Sequence, residues 1–193
     1  MGQCRISADR MTAQIIKTRT RFFVAVEGES EQSFVTWLQV LSQDRLHIHL
    51  DAVLLDGGGF KSMLQKAVRL HKRRSRTGVY QGRFLIVDGD RAEQGDWPIE
   101  QLRREAAKHK IIVCVQRPKH EGLLFRMMPG MEREIPDAAS ANTRLKGQWA
   151  NYQKPVNAHA LGRKFSLDDL LRVANVDTDL ETFLKKIGLM GGP

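Results

Sequence analysis

Phe84-Leu85-Ile86-Val87-Asp88-Gly89-Asp90 is an apolar run that ends in two carboxylates with a glycine between them. Four consecutive apolar residues closed by an acidic turn suit a short strand buried on both faces. Comparable runs occur at Phe22 to Val26, Ile48 to Leu55 and Ile111 to Val115. Between them apolar residues recur at helical spacing, as in Phe34, Trp37, Leu38 and Leu41, then Phe60, Leu64, Ala67 and His71, then Ile99, Leu102 and Ala106. Strands alternating with helices predict an α/β fold, a parallel sheet of about four strands flanked by helices.

Right-handed crossovers bring the loops after such strands to one edge of the sheet. The polar residues of interest fall in those loops. Glu27-Gly28-Glu29-Ser30-Glu31 follows the first run, Asp56-Gly57-Gly58-Gly59 the second, Asp88-Gly89-Asp90 the third and Gln116 to Glu121 the fourth. Gly89 lets the backbone turn so that Asp88 and Asp90 face one point, and Glu27 brings a third carboxylate to the same edge. Clustered carboxylates oppose one another's ionisation unless a cation joins them, so the constellation predicts a hard metal ion bound through oxygen. The structural alternative for Asp88 and Asp90 is an acidic turn capping the next helix. Glu31 has two readings of equal weight: a catalytic acid, or a helix-start acid favoured by the macrodipole.

The chain has 193 residues, 31 Lys plus Arg against 22 Asp plus Glu, and a formal net charge of +9. That excess favours polyanions through counterion release, although a basic solvated surface would give the same count. Cys4 and Cys114 lack metal-ligand spacing, which argues against a disulfide framework or a zinc site. The first twenty residues lack a signal-peptide core, and no run of about 18 apolar residues is present, so a cytoplasmic protein without a membrane span is expected.

Three segments are expected along the chain: a basic arm at residues 1–20, a catalytic α/β domain at 21–130, and a linker with a helical C-terminal extension at 131–193. In the last, helices are predicted at Leu167 to Ala174, capped by Ser166 with Asp169, and at Leu180 to Ile187, closed by Gly188.

Val24-Ala25-Val26-Glu27-Gly28-Glu29-Ser30-Glu31, followed about sixty residues later by Ile86-Val87-Asp88-Gly89-Asp90, resembles the two signature motifs of Toprim domains. The compact size and the Glu-Gly-x-x-x-Glu start look most like the RloB-like branch, near the overcoming-lysogenization-defect nucleases and associated with phage defence and restriction. Gly57-Gly58-Gly59-Phe60-Lys61 resembles the glycine turn such proteins carry after the second strand. Arg117-Pro118-Lys119-His120-Glu121 keeps the proline and glutamate of a further motif, with Arg117 in place of asparagine and His120 in place of phenylalanine.

The resemblance covers residues 21 to 130 and implies a Rossmann-like Toprim sheet. It also implies Mg²⁺ (or Mn²⁺) held by Glu27, Asp88 and Asp90, with Glu27 alternatively a general acid or base and Glu121 completing a second metal position. The implied activity is phosphodiester cleavage of RNA or DNA, with a separate ATPase or other defence protein, or a second copy of the chain, as possible partners. Lys119 is a candidate for contact with the scissile phosphate, as is Arg117, the alternative being solvent-facing helix-start residues. His120 is a candidate proton shuttle, or a local hydrogen-bonding group.

Lys72, Arg73, Arg74 and Arg76 form a candidate nucleic-acid surface with Arg117, and Arg103, Arg104, Lys108, His109 and Lys110 form a second basic face. Cations at a helix C-terminus are also favoured by the dipole alone. Phe34, Trp37 and Trp97 read as packing residues. The glycine turn lacks the Gly-Lys-Ser/Thr ending of an ATP-binding loop, so no nucleotide hydrolysis is expected. Two rival functions fit the residues: a non-catalytic binding module with a structural acidic cluster, and a phosphatase using Asp88 as nucleophile. The second is disfavoured because the Asp-x-Asp turn there belongs to a first strand.

Overall fold

A computed structural model describes residues 19–43, 45–90 and 97–191. The predicted basic arm lies almost wholly outside the described residues, although Thr20 already opens the first strand. In chain order the elements are β1 (Thr20–Val26), α1 (Glu29–Ser42), β2 (Ile48–Leu54), α2 (Phe60–Arg74), β3 (Gly82–Asp88), α3 (Ile99–Lys108), β4 (Ile112–Gln116), α4 (His120–Arg126), α5 (Ala141–Gln148), α6 (Ala158–Lys164), α7 (Leu167–Ala174) and α8 (Thr178–Ile187).

The four strands form one parallel sheet in the order β2-β1-β3-β4, a Rossmann-like α/β arrangement. Successive strand residues face opposite sides, and the core divides accordingly. Phe22, Val24, Val26, Phe84, Ile86 and Cys114 face one side, where residues of α1 and α4 to α8 pack. Phe23, Ala25, Val53, Leu85, Val87, Val113 and Val115 face the other, covered by α2 and α3. Residues 131–191 therefore supply much of one core layer. Leu145, Leu161, Phe165, Leu170, Phe183 and Leu184 all join it.

The helices expected near the C-terminus are α7 and α8. Ser166 and Asp169 form the α7 capping box, and Gly188 closes α8 at φ 83°. Helices α5 and α6 form where no periodicity announced them, because short, weakly amphipathic segments are held by what they pack against. Among the described residues no helix is long and apolar enough to cross a membrane.

Side chains close the sheet's two edges, which would otherwise offer unpaired backbone groups. On β2, the Gln39 amide accepts from Leu50 N–H at 2.6 Å and donates to Ile48 carbonyl at 3.2 Å. On β4, Arg103 donates to Val113 carbonyl at 3.0 Å and Asp179 accepts from Val115 N–H at 3.3 Å. Arg103 and Asp179 also pair with each other at 2.7 and 3.0 Å, so the second edge depends on one ion pair. We predict that Asp179→Ala lowers unfolding free energy by about 1–3 kcal/mol, since it leaves a strand N–H without its acceptor and strips the Arg103 guanidinium of its ion pair. Glu181→Ala, which breaks only the surface pair with Lys185, should cost less than about 0.5 kcal/mol. Urea unfolding of the two variants measures the difference, and equal midpoints would contradict the role given to Asp179.

Candidate active site

Adjacent strands β1 and β3 carry their crossovers in opposite directions, toward β2 and toward β4. The crevice outside their carboxyl ends is therefore the sheet's topological switch point, where α/β proteins place ligands. Glu27 directly follows β1 and Asp88 ends β3 at that crevice. A cavity of about 410 Å³ opens there, lined by Glu27, Glu31, Asp56, Asp88, Ser30 and Lys154 together with neighbouring backbone.

Local backbone groups hold the acids in place. Asp88 N–H points to Glu27 Oε2 at 3.4 Å, and Asp88 Oδ1 accepts the His120 N–H at 2.9 Å. Glu31 Oε2 accepts the Gly28 N–H at 3.0 Å, so the capping expected of Glu31 is present while the residue also lines the cavity. Asp90 N–H donates to the Pro118 carbonyl at 2.8 Å, tying the Asp88-Gly89-Asp90 turn to the loop before α4. Two glycines permit this close approach. A Cβ on Gly89 would lie 3.1 Å from the Gln116 carbonyl oxygen, and one on Gly122 would lie 2.5 Å from Pro118 Cδ and 2.7 Å from the Arg117 carbonyl oxygen.

Glu121, 1 % exposed, enters from the first turn of α4. Its Oε1 pairs with Lys154 Nζ at 2.7 Å and lies 3.4 Å from the Tyr152 hydroxyl, while its Oε2 is buried without a hydrogen-bond partner. Burial pushes the Glu121 carboxyl up, but the Lys154 bond and charge outweigh it, leaving the group below its ordinary value. Lys154 is raised in turn, its desolvation outweighed by Glu121 and by the charges of Asp88 and Glu31. His120 is fully buried, with Nδ1 3.2 Å from Gln116 Oε1 and 3.9 Å from Glu31 Oε1. Burial lowers its pKa more than the neighbouring acids raise it, so the ring is neutral at physiological pH, and its Nε2 has no partner.

Asp88 shows the strain of the cluster. Burial first, then the charges of Glu31, Glu27, Asp90 and Glu121, push its pKa up to about 8. Among the described residues no three His, Cys, Asp or Glu side chains stand where they could hold one ion directly. The donor set nevertheless fits magnesium, which binds through one or two carboxylates and fills its other positions with water and phosphate. The unpartnered buried oxygen of Glu121 and the excess of carboxylates over cations around Asp88 are what such an ion would relieve.

Of the residues picked from sequence, Glu27, Glu31, Asp88, Asp90 and Glu121 come together at this edge. Lys119 caps α4 with extended backbone and does not line the cavity, and Arg117 is exposed 3.7 Å from Asp179. Lys72, Arg73, Arg74 and Arg76 lie at the amino-terminal edge of the sheet, about 20 Å away along a seven-residue strand. Arg74 there pairs with Asp51, which also accepts from Tyr80. Among the described residues Lys154 does reach the acids, and sequence reasoning missed it. It sits in an aperiodic stretch, 33 residues beyond Glu121, and no local signal marks it. No family model, curated protein or solved structure matches the chain.

The raised pKa of Asp88 has a definite sign in stability. The folded state keeps this proton to higher pH than the unfolded chain, so the stabilisation is complete below about pH 4 and is lost as pH rises through about 8. In metal-free protein the melting temperature of Asp88→Asn relative to the parent should therefore climb between pH 5 and pH 9, by about 2–4 °C for each kcal/mol regained. A difference independent of pH would contradict this electrostatic account.

Proposed function

We propose that this protein is a divalent-metal-dependent phosphodiesterase acting on nucleic acid, of the Toprim kind its motifs resemble. The observation that carries the reading is the convergence of five carboxylates at the switch point, with Asp88 driven up to about 8 by burial and by the other four. One or two of Glu27, Asp88 and Asp90 would hold Mg²⁺ or Mn²⁺ directly and the rest through bound water, and Glu121, once released from Lys154, offers a further carboxylate. A bound ion supplies charge neutralisation at a phosphoryl oxygen and a water of lowered pKa.

The chain's own groups have separable tasks. The His120 N–H fixes the Asp88 carboxylate, and the Gly28 N–H orients Glu31. Lys154, at the cavity wall with its side chain half exposed, would offer positive charge to a phosphate entering the crevice. Glu31, or Glu27 where it does not bind the ion, would take a proton from the attacking water. The overall charge of +9 favours a polyanionic substrate. A role in phage defence or restriction, with a partner ATPase, follows from the resemblance alone.

A second reading rests on the Lys154–Glu121 pair, which already neutralises one acid internally, as a binding module with a structural cluster would. Incubation of the protein with mixed RNA and DNA, with Mg²⁺ or Mn²⁺ and with EDTA, separates the two. Metal-dependent cleavage is expected, with Asp88→Asn at least about 100-fold slower and its salt-dependent binding within about twofold of the parent. Lys154→Met should lower the turnover rate about 100-fold, with partial recovery in Lys154→Arg. Binding without cleavage, or equal cleavage by Asp88→Asn, would leave the module reading in its place.

A further inference from the structure

Helices α2 and α3 cover the same face of the sheet, and the groove between them carries a run of positive charge. Its concavity, about 520 Å³, is lined by Lys61, Arg69 and Lys72 on α2 and by Trp97 and His109 from the α3 side. At its far end it joins a second hollow of about 310 Å³, sharing Val68, Lys72 and His109 with it. Arg83, Lys108 and Lys110 line that hollow. Glu105 is the one carboxylate among the described residues lining the two, and it is paired with Lys108 at 2.7 Å.

One end of the groove starts beside the loop that lines the acidic cavity. Lys61 stands in the first turn of α2, directly after the Gly57-Gly58-Gly59 turn, and Asp56 and Gly57 at the start of that turn line the cavity. From Lys61 to Lys72 the helix rises about 16 Å, which matches roughly five phosphates at the ~3.4 Å spacing of one stacked strand. Arg69 and Lys72 are exposed on this face, and Trp97, half-buried, presents an indole on which a base can stack.

We infer that the α2–α3 groove is the track for a single nucleic-acid strand whose scissile phosphate sits in the acidic cavity, so that the natural substrate is single-stranded and extends several nucleotides beyond the cut. This deepens the phosphodiesterase reading and rests on it for the cut, but the track itself concerns binding. The groove is a cleft between two adjacent helices, suited to one backbone, and its charge is opposite in sign to the cavity it leads to. Lys72, at the amino-terminal edge and too far from the acids to touch a reacting phosphate, thereby gains a part in holding the substrate.

The test measures fluorescence anisotropy of fluorescein-labelled oligo-dT and oligo-U in EDTA, where cleavage cannot contribute. The parent should bind a 12-mer at least about tenfold tighter than a 3-mer, and tighter than a 12-base-pair duplex. Arg69→Glu/Lys72→Glu/Lys108→Glu should weaken 12-mer binding at least about tenfold and reduce the salt slope by about 2. The corresponding triple alanine variant, less demanding on folding, should lose an intermediate amount. Lys146→Glu/Arg163→Glu/Lys186→Glu carries the same charge change on exposed positions of α5, α6 and α8 and should stay within about twofold of the parent.

Equal losses in the two triple reversals, a 12-mer no tighter than a 3-mer, or preference for the duplex would each overturn the track. Absence of cleavage with every metal, alongside the expected binding pattern, would remove the phosphodiesterase reading and leave the track standing.

Discussion

Mutual repulsion among carboxylates at the carboxyl ends of β1 and β3 is the constraint to which the rest of the site answers. Strand order puts Glu27 and Asp88 side by side at the switch point, the turn after β3 adds Asp90, and the first turn of α4 adds Glu121 to their surroundings. Nothing in a parallel sheet requires acids there, and their proximity opposes ionisation of Asp88. The fold tolerates them because backbone N–H groups of Gly28, Asp88 and His120 point at three of the carboxylates, and Lys154 at a fourth. Close packing at Gly89 and Gly122 draws the two loops together, so the cluster is built into the backbone and not merely gathered by flexible side chains.

Around this centre the charge is divided. The carboxyl edge of the sheet is acidic, while the amino edge and the α2–α3 face are basic. On the proposed reading a nucleic acid would be drawn by the basic surface and repelled by the acidic crevice, and a divalent cation would reverse the second effect without disturbing the first. The net charge of +9 says only that basic residues are in excess; their separation from the acids is what sets this arrangement apart from a uniformly basic surface.

The sheet was legible because its signals are local: apolar runs of strand length, each followed by a polar turn, with helical periods between them. Glu27, Asp88 and Asp90 could be found for the same reason, each lying directly after such a run. Glu31 could be read two ways from sequence, as a helix-start acid or a catalytic one; it caps α1 and also lines the cavity. Lys154 was invisible. Its position depends on the chain after α5, which itself packs against α4, and on the tertiary route of a stretch without periodicity. Lys119 and Arg117 illustrate the converse: closeness in sequence to Glu121 did not bring their side chains into the cavity, because the helix start turns Lys119 into a cap and Arg117 lies near Asp179. The basic end of α2 was read from composition, but which edge of the sheet it occupies follows only from the direction of the helix.

The central claim, that the acidic cluster is a divalent-cation site, is tested most directly by titration calorimetry of the metal-free protein with Mg²⁺ and Mn²⁺ at pH 7, repeated in two buffers of different ionisation enthalpy. Asp88 holds its proton at that pH, so saturable binding should be accompanied by proton release, and both should disappear in Asp88→Asn. Absence of saturable binding at millimolar metal, or binding unchanged by Asp88→Asn, would contradict the claim.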